Sequence, residues 1–270
     1  GLFGKTREGY YSVSKEKRMR RELSEKEILD TVRDIRHEAP GIGAYKLYLM
    51  LKELYPDGMR GRDWFYGLMH ESHLMLKLGK RRHTTSSNHP YRKYKNMIKG
   101  LTVNRINQLW VADITYIDTD EGVAYLHLLT DAFTHEIIGW VLSDSLVASN
   151  TVTALEMGIS HVSPLGFDGL IHHSDRGVQY CCNQYIDRLQ AIKATISMTE
   201  DYKPTDNAIA ERVNGIIKQE WLYRMKRPPD VVVARDLLGR IIGFYNNRRP
   251  QRSNRDMLPP VRFREALTCM

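Results

Sequence analysis

The spacing of apolar residues predicts three short helices near the start of the chain. Apolar positions recur every three or four residues in a first helix that begins at Ser24, and the same pattern covers about residues 44–55 and 63–73. Turn-forming residues such as Pro40 and Gly41 separate these patterns. Short helices joined by turns predict a small all-α domain.

Beyond residue 106 the pattern changes to short strands that alternate with helices. Runs rich in β-forming residues lie at 110–117, 124–133, 136–142, 169–173 and 195–198, and helical patterns lie at about 150–162, 183–191 and 205–223. Three consecutive strands followed by strand–helix alternation predict an α/β fold, a mixed five-stranded sheet flanked by helices. This is also the order of elements in a ribonuclease-H-like core.

Composition and pattern together divide the chain into five segments. They are a basic N-terminal arm at 1–23, a helix-turn-helix-like domain at 24–82, a linker at 83–106, the ribonuclease-H-like core at 107–225, and a C-terminal helix with a basic tail at 226–270. A helix-turn-helix unit would place its third helix in the major groove of DNA. A three-helix module that serves only packing is the alternative, because helix pairs joined by turns are common elsewhere.

Charge is unevenly distributed along the chain. The net charge of +8 divides into +10 in residues 1–100, −8 in residues 101–200 and +6 in residues 201–270. This basic–acidic–basic order favours two surfaces that hold a polyanion on either side of a carboxylate-rich segment, and nucleic acid is the obvious polyanion. The alternative is that the charged runs are ordinary solvated surface.

The sequence predicts a cytoplasmic protein without a membrane partner. No apolar stretch approaches the roughly 20 residues that span a bilayer, and no basic-then-apolar signal region precedes residue 30. The cysteines are Cys181, Cys182 and Cys269, which do not suit a disulfide framework. We therefore expect a reducing compartment.

Three carboxylates occupy positions that the predicted fold would bring together. Asp113 lies within an otherwise apolar strand, where an ionised side chain is costly unless it is paired or bound to a metal. Asp175 follows a strand at its carboxyl end, where open α/β sheets place their ligands, and Glu211 lies on the long predicted helix. Three acidic donors can hold two Mg²⁺ ions, which prefer hard oxygen ligands. Each carboxylate alone could instead be a turn residue or a paired charge.

The helix that carries Glu211 has two different faces. One face carries Asn207, Glu211, Asn214 and Lys218, and the opposite face carries a stripe of Ile209, Val213 and Ile216. We expect the apolar stripe to pack and the polar face to function. Lys218 should reach out beside the metal centre, where a phosphate of the substrate would lie; a salt-bridged surface lysine is the alternative.

Several blocks of the sequence resemble a known family. The blocks WVADITYI at residues 110–117, HSDRGVQY at 173–180 and DNAIAER at 206–212 resemble the signatures of bacterial insertion-sequence transposases with a retroviral-integrase-like DDE core. The similarity is greatest to the downstream-frame product of the group encoded in two reading frames. It extends from GAYKL at 43–47 to YNNRRP at 245–250, and so covers nearly the whole chain.

The resemblance implies a function, a cofactor and partners. It implies Asp113, Asp175 and Glu211 as catalytic ligands of two Mg²⁺ ions, for which Mn²⁺ can substitute. It implies a nucleoid-associated transposase that nicks double-stranded DNA at insertion-sequence ends and joins the freed 3′-hydroxyl to target DNA by direct attack. A homodimer or larger assembly on paired ends is implied, as is the upstream-frame product as fusion or partner. The family usually has a histidine where this chain has Gln251.

Basic and polar residues are the candidate DNA contacts, because guanidinium and ammonium groups bind phosphate. They are Lys218, Asn207, Asn214, Arg212, Arg176, Lys80, Arg81, Arg82, Arg248, Arg249 and Arg252. Two other functions stay open at this point. One is a ribonuclease-H-like nuclease or resolvase that hydrolyses without joining, and the other is a non-enzymatic helix-turn-helix regulator whose core only dimerises.

Overall fold

The computed structural model describes residues 24–56, 59–76, 91–200 and 207–269. The molecule divides into two compact units between Gly79 and Lys80. Several predicted features lie outside the described residues: the basic arm at 1–23, the first part of the linker, and the candidate DNA contacts Lys80, Arg81 and Arg82.

The first unit has three helices in its described residues, as predicted. They are α1 at residues 24–38, α2 at Ala44–Leu54 and α3 at Arg62–Glu71. Each helix buries one apolar side, and the buried residues include Ile28, Val32, Ile35, Leu47, Leu51, Phe65 and Met69. The apolar residues that recur at helical intervals in the sequence therefore form this small core.

Helix α3 ends two residues earlier than its sequence pattern predicts. His73 adopts a left-handed φ of 55°, which stops the helix. The amide of Leu74 then donates to the carbonyl of Met69 at 2.8 Å, so that one of the last helical carbonyls is satisfied.

A side-chain hydrogen bond joins α1 to the end of α2. The hydroxyl groups of Thr31 and Tyr55 lie 2.8 Å apart.

The second unit is built on a mixed sheet that has five strands in the described part of the chain, in the order β3-β2-β1-β4-β5. The strands are β1 Leu109–Thr119, β2 Gly122–Asp131, β3 Ile137–Ser143, β4 Ile171–Ser174 and β5 Thr195–Met198. β1, β2 and β3 pair antiparallel, whereas β4 and β5 run parallel to β1. This arrangement confirms the predicted ribonuclease-H-like α/β fold.

Helices cover both faces of this sheet. They are α4 Ala148–Val162, α5 Val178–Cys181, α6 Asn183–Ala191, α7 Ala208–Glu220, α8 Val231–Asn247 and α9 Pro260–Thr268. Side chains of α4, α5 and α6 pack with Trp110 and Ala112 of β1, and α7 packs on the other face with Val111. Gly139 lets α4 approach β3 closely, because a Cβ there would lie 2.0 Å from the carbonyl oxygen of Ala154.

Two parts of the helical pattern differ from the prediction. The long helix predicted at 205–223 is shorter, because Trp221 leaves the helical region with φ −126° and ψ −73° after Glu220. The C-terminal segment holds a second helix, α9, where a basic tail was predicted; Pro260 at its first position favours a helix start. Within the described residues, no helix is long and apolar enough to cross a membrane.

Helix α9 is tied to the sheet by a buried polar network. Arg264 donates to the carboxylate of Glu136, lies 3.9 Å from Asp131 and donates to the side-chain oxygen of Asn107. Burial alone would raise the pKa of Glu136, but the hydrogen bond from His161 and the charge of Arg264 hold it below its usual value. The C-terminal helix therefore neutralises two carboxylates at the turn between β2 and β3.

We predict that Arg264→Ala lowers the free energy of unfolding by about 3–5 kcal/mol, because the change leaves two buried carboxylates without their cation. The matched control is Arg262→Ala, an exposed arginine of the same helix, which should change stability by less than about 0.5 kcal/mol. Urea unfolding at pH 7 measures both. Equal losses in the two variants would contradict a structural role for the buried network.

Candidate active site

The carboxylate of Asp113 lies in the middle of β1 and is held by two hydrogen bonds. The backbone N–H of Ile114 donates to Oδ1 at 2.9 Å, and the side-chain amide of Asn214 on α7 donates to Oδ2 at 2.7 Å. Alternation along the strand turns Asp113 to the face that α7 covers, together with Val111. Because both carboxylate oxygens have a donor, the orientation of this side chain is fixed by the fold.

Asp175 comes close to Asp113 because β1 and β4 stop pairing just before the two residues. The parallel register ends with Val111 opposite His173, so the carboxyl end of β4 leaves the sheet beside the middle of β1. The backbone N–H of Gly177 then donates to Oδ1 of Asp175 at 2.8 Å. A Cβ at Gly177 would lie 2.9 Å from that oxygen, so a larger residue would displace the carboxylate.

Electrostatics join three carboxylates into one cluster. Burial and the charge of Asp175 raise the pKa of Asp113 from 3.8 to about 7, and Glu211 adds to this shift. Hydrogen bonds from Asn214 and Ile114 act in the opposite direction without cancelling it. At neutral pH the cluster therefore favours uptake of a positive charge, either a proton or a cation.

Helix α7 turns a mostly apolar face, with one asparagine in it, to β1. Its buried residues are Ala210, Val213, Asn214 and Ile217. The predicted stripe of Ile209, Val213 and Ile216 is therefore wrong in part, since Ile209 and Ile216 are only half-buried. The physical reason is that the hydrogen bond from Asn214 to Asp113 rotates the buried face of the helix toward Asn214. Glu211 lies at the exposed edge of α7, near its N-terminus.

Asn207 and Asn214 hold β1 through their side-chain amide groups. Asn207 precedes α7, and its side-chain amide donates to the carbonyl of Ala112 at 3.1 Å, next to the carboxylate that Asn214 holds. Both asparagines are more than nine-tenths buried. Their amide groups therefore fix the helix against the strand that carries Asp113, and their contact with DNA stays a prediction.

Three buried polar atoms around this cluster have no hydrogen-bond partner among the described residues. They are the hydroxyl of Tyr180 and the Oδ1 atoms of Asn207 and Asn214. Buried polar atoms are normally paired with protein or water. Unpaired atoms beside Asp113 fit a site that an ion and its water ligands complete.

The donor set suits a hard divalent cation. Asp113, Asp175 and Glu211 offer only carboxylate oxygens, which Mg²⁺ prefers, and Mg²⁺ commonly keeps several waters as ligands. Among the described residues, no three His, Cys, Asp or Glu side chains lie close enough together to hold a metal ion. The carboxylate of Glu211 would therefore have to turn inward from the edge of α7 to join the other two.

Lys218 lies two turns beyond Glu211 and is half-buried. Burial lowers the pKa of its ammonium group, whereas the charges of Asp113 and Asp118 on β1 raise it. The side chain is thus close enough to β1 to interact with the carboxylate cluster. This is the position that the sequence predicts for a cation beside the reacting phosphate; its contact with DNA stays a prediction.

Arg249 has a structural role where a DNA contact was predicted. Its Nε and Nη2 donate to the two carboxylate oxygens of Glu220 at 2.8 Å each, and Nη1 donates to Gln251 at 2.7 Å. The guanidinium also lies over the ring of Tyr245. Only 4% of the side chain is exposed, and its contact with DNA stays a prediction. The ion pair of Arg249 with Glu220 joins the end of α7 to the segment after α8, and Gln251 accepts the remaining hydrogen bond of the guanidinium.

The remaining candidate DNA contacts differ in exposure. Arg212, Arg248 and Arg252 are exposed, so that their predicted contact with DNA stays a prediction. Arg176 is half-buried, and its Nη1 donates to the backbone oxygen of Glu200 at 3.1 Å.

Sequence reasoning missed one residue of the site, Tyr180. It lies five positions after Asp175 in the short helix α5, and its ring is fully buried. The available signal was its place within the HSDRGVQY block, because the short turn after Asp175 returns the chain to the same place. Gln251 was noted only as a departure from the family, and the structure gives it a partner in Arg249.

Comparisons with known proteins identify relatives of this chain. A family model described as integrase core domain matches residues 103–204, and a second model of the same description matches residues 192–260. The chain is 33% identical over 273 positions to the 31 kDa protein of insertion element IS600 from Shigella sonnei, covering 98% of this chain and 96% of that protein.

Other relatives are transposases by name. The transposase of insertion sequence element IS904 from Lactococcus lactis is 30% identical over 237 positions, covering 83% of this chain and 89% of that protein. The transposase of element IS629 from Shigella sonnei is 33% identical over 173 positions, covering 63% and 56%. Among solved structures, the HTLV-2 integrase catalytic core domain in complex with magnesium is 17% identical, with a TM-score of 0.44 over 57% of this chain and 97% of that chain.

We predict that Asp113→Asn stabilises the metal-free protein as pH rises. The folded parent keeps a proton on Asp113 up to about pH 7, whereas in the unfolded chain the carboxyl loses it near pH 4. The parent therefore loses stability between these values, and the variant does not. The difference in Tm between variant and parent should grow from pH 5 to pH 8 in EDTA.

The difference in Tm between variant and parent is informative because the pH dependence of other groups is the same in both proteins. Burial lowers the pKa of His127 to about 4 and that of His172 to about 3. Both histidines therefore add stability as pH rises, in parent and variant alike. Asp118→Asn, on the exposed end of the same strand, is the control and should show a constant difference. A constant difference for Asp113→Asn as well would refute the raised pKa.

Proposed function

Because the chain belongs to the IS3 family of insertion-sequence transposases, which carry an integrase core domain, we propose that it cleaves and joins DNA strands. In the first step water attacks a phosphodiester at the element end and releases a 3′-hydroxyl. In the second step this hydroxyl attacks a phosphodiester of target DNA, so that one phosphorus–oxygen bond forms as another breaks. No covalent protein–DNA intermediate is involved.

One observation carries this proposal: a half-buried aspartate in mid-sheet whose pKa is raised by desolvation and by the charges of two further carboxylates. Among the described residues, the hydrogen bonds to the Asp113 carboxylate come from Asn214 and Ile114, and neither donor carries a charge. A purely structural aspartate in such a place would be paired with a cation, as Glu136 is with Arg264. The arrangement is therefore suited to bind a cation from solution.

We assign Asp113, Asp175 and Glu211 as the residues that hold Mg²⁺, for which Mn²⁺ can substitute. Bound there, two ions would supply Lewis acidity that activates the attacking hydroxyl and stabilises the departing 3′-oxygen. The chain contributes the geometry. Asn214 fixes the carboxylate of Asp113, and the backbone of Gly177 fixes that of Asp175, so that the donors are oriented before the substrate arrives.

Lys218 and exposed arginines are proposed to hold the DNA. Lys218 lies where its charge can bind a phosphate beside the reacting one, because it already interacts with Asp113. Arg212, next to Glu211 in the chain, and Arg248 and Arg252 after α8 offer guanidinium groups to the backbone of longer DNA.

The first unit is proposed to be a second DNA-binding element. Its described residues form three helices, and a helix-turn-helix-like domain would use the third of them to enter the major groove of DNA. Joining two element ends to one target requires at least two active sites in one complex, so we propose a homodimer or larger assembly on paired ends. The upstream-frame product is proposed as fusion or partner in that assembly.

We predict that Glu211→Gln lowers strand cleavage and joining by on the order of 10³-fold, because a lost metal ligand costs several kcal/mol of transition-state stabilisation. The assay uses labelled element-end DNA, target DNA and Mg²⁺. Glu121→Gln, an exposed residue in the β1–β2 turn, is the control. Hydrolysis without joining by the parent would favour a nuclease, and DNA binding without cleavage would favour a regulator.

A further prediction separates a DNA contact from a structural arginine. Arg252→Ala should weaken DNA binding and reduce the slope of log affinity against log salt concentration by about 1, with unchanged stability. Arg249→Ala should lower the free energy of unfolding by about 3–5 kcal/mol, because Glu220 loses its buried partner, and should leave the salt slope unchanged. A reduced slope for Arg249→Ala alone would reverse the two assignments.

A further inference from the structure

The hydroxyl of Tyr180 is an unexplained polar group beside the carboxylate cluster. Tyr180 is only 2% exposed, and its ring packs edge-on against Tyr185 with 5.5 Å between ring centroids. The ring is therefore held firmly by the core, and the hydroxyl has little freedom to search for a partner. No hydrogen bond to this hydroxyl is made by any of the described residues.

Two other buried tyrosines of the second unit differ from Tyr180, because their hydroxyl groups have hydrogen-bond partners. The hydroxyl of Tyr185 lies 2.8 Å from Nε2 of His172, and that of Tyr245 donates to the backbone oxygen of His135 at 3.0 Å. Both residues are as deeply buried as Tyr180. A buried hydroxyl without a partner destabilises the fold, so its retention at the site indicates a partner that the described residues do not supply.

The position of the hydroxyl identifies the kind of partner. Burial, followed by the charges of Asp113 and Asp175, raises the pKa of Tyr180 well above its usual value, so the phenol stays protonated and can donate. A Cβ at Gly177 would lie 2.9 Å from Oδ1 of Asp175 and 3.6 Å from Cδ2 of Tyr180, which shows that the carboxylate and the ring pack around the same glycine. The charges of both aspartates act on the hydroxyl, so it lies within electrostatic reach of their carboxylates.

We propose that Tyr180 is a positioning residue whose O–H donates a hydrogen bond to an oxygen in the coordination shell of the divalent ion that Asp113 and Asp175 hold. The inference rests on the metal site proposed above. A neutral donor is suited to this place, because it binds a ligand oxygen without adding a positive charge that would repel the ion. Groups that orient metal ligands in this way commonly contribute about tenfold or more to metal affinity.

The test is the affinity of the full chain for Mn²⁺ and Mg²⁺, measured without DNA by calorimetric titration, in the parent and in Tyr180→Phe. The variant removes only the hydroxyl and keeps the packing of the ring. We expect about tenfold weaker metal binding, together with a metal-free Tm that is unchanged or higher, because an unpaired buried hydroxyl has been removed.

Tyr185→Phe is the matched control. It also removes one buried hydroxyl from α6, the neighbouring helix, but that hydroxyl is bonded to His172. We expect a lower metal-free Tm and unchanged metal affinity. Unchanged affinity in Tyr180→Phe, or a loss of equal size in both variants, would overturn the positioning role.

Asp113→Asn distinguishes failure of the inference from failure of the proposed function. If the parent binds the ion, Asp113→Asn abolishes binding and Tyr180→Phe binds like the parent, then only the role of Tyr180 is overturned. If the parent itself does not bind Mn²⁺ or Mg²⁺, or if Asp113→Asn binds as well as the parent, then the metal site and the inference are both overturned.

Discussion

A half-buried carboxylate beside two others is the constraint on which the rest of the second unit depends. Asp113 lies in mid-sheet, where partial loss of water and the charges of Asp175 and Glu211 raise its pKa to about 7. Such a group is unfavourable in a protein that does not use it. The hydrogen bond from Asn214 holds α7 against β1, and the splitting of β1 from β4 explains how Asp175 reaches the same place.

Elements far along the chain keep this arrangement in place. The ion pair of Arg249 with Glu220 anchors the end of α7 to the segment after α8, and Arg264 on α9 neutralises the carboxylates of Asp131 and Glu136. The described C-terminal residues are thus packed into the second unit and are not an appended tail. Replacing Arg249 would alter the site by shifting α7, and replacing Arg264 would alter it by shifting the β2–β3 turn.

The sequence predicts the sheet well, because alternation and strand order are local signals. β5 and α6 have the predicted bounds. Whether a polar side chain is buried cannot be predicted from its neighbours in the sequence. Asn214 and Arg249 look like surface residues in sequence, and only the partners Asp113 and Glu220, distant in the chain, make them internal. The hydroxyl of Tyr180 is recognisable only once its lack of a partner is seen.

The most direct test of this account is the titration of the Asp113 carboxyl carbon by ¹³C NMR, with assignment by the Asp113→Asn spectrum. The account predicts an apparent midpoint near pH 7 in metal-free protein, a lower midpoint in Asp175→Asn, and loss of the transition from this range when Mg²⁺ is added. A midpoint near pH 4 that neither Mg²⁺ nor Asp175→Asn alters would contradict it.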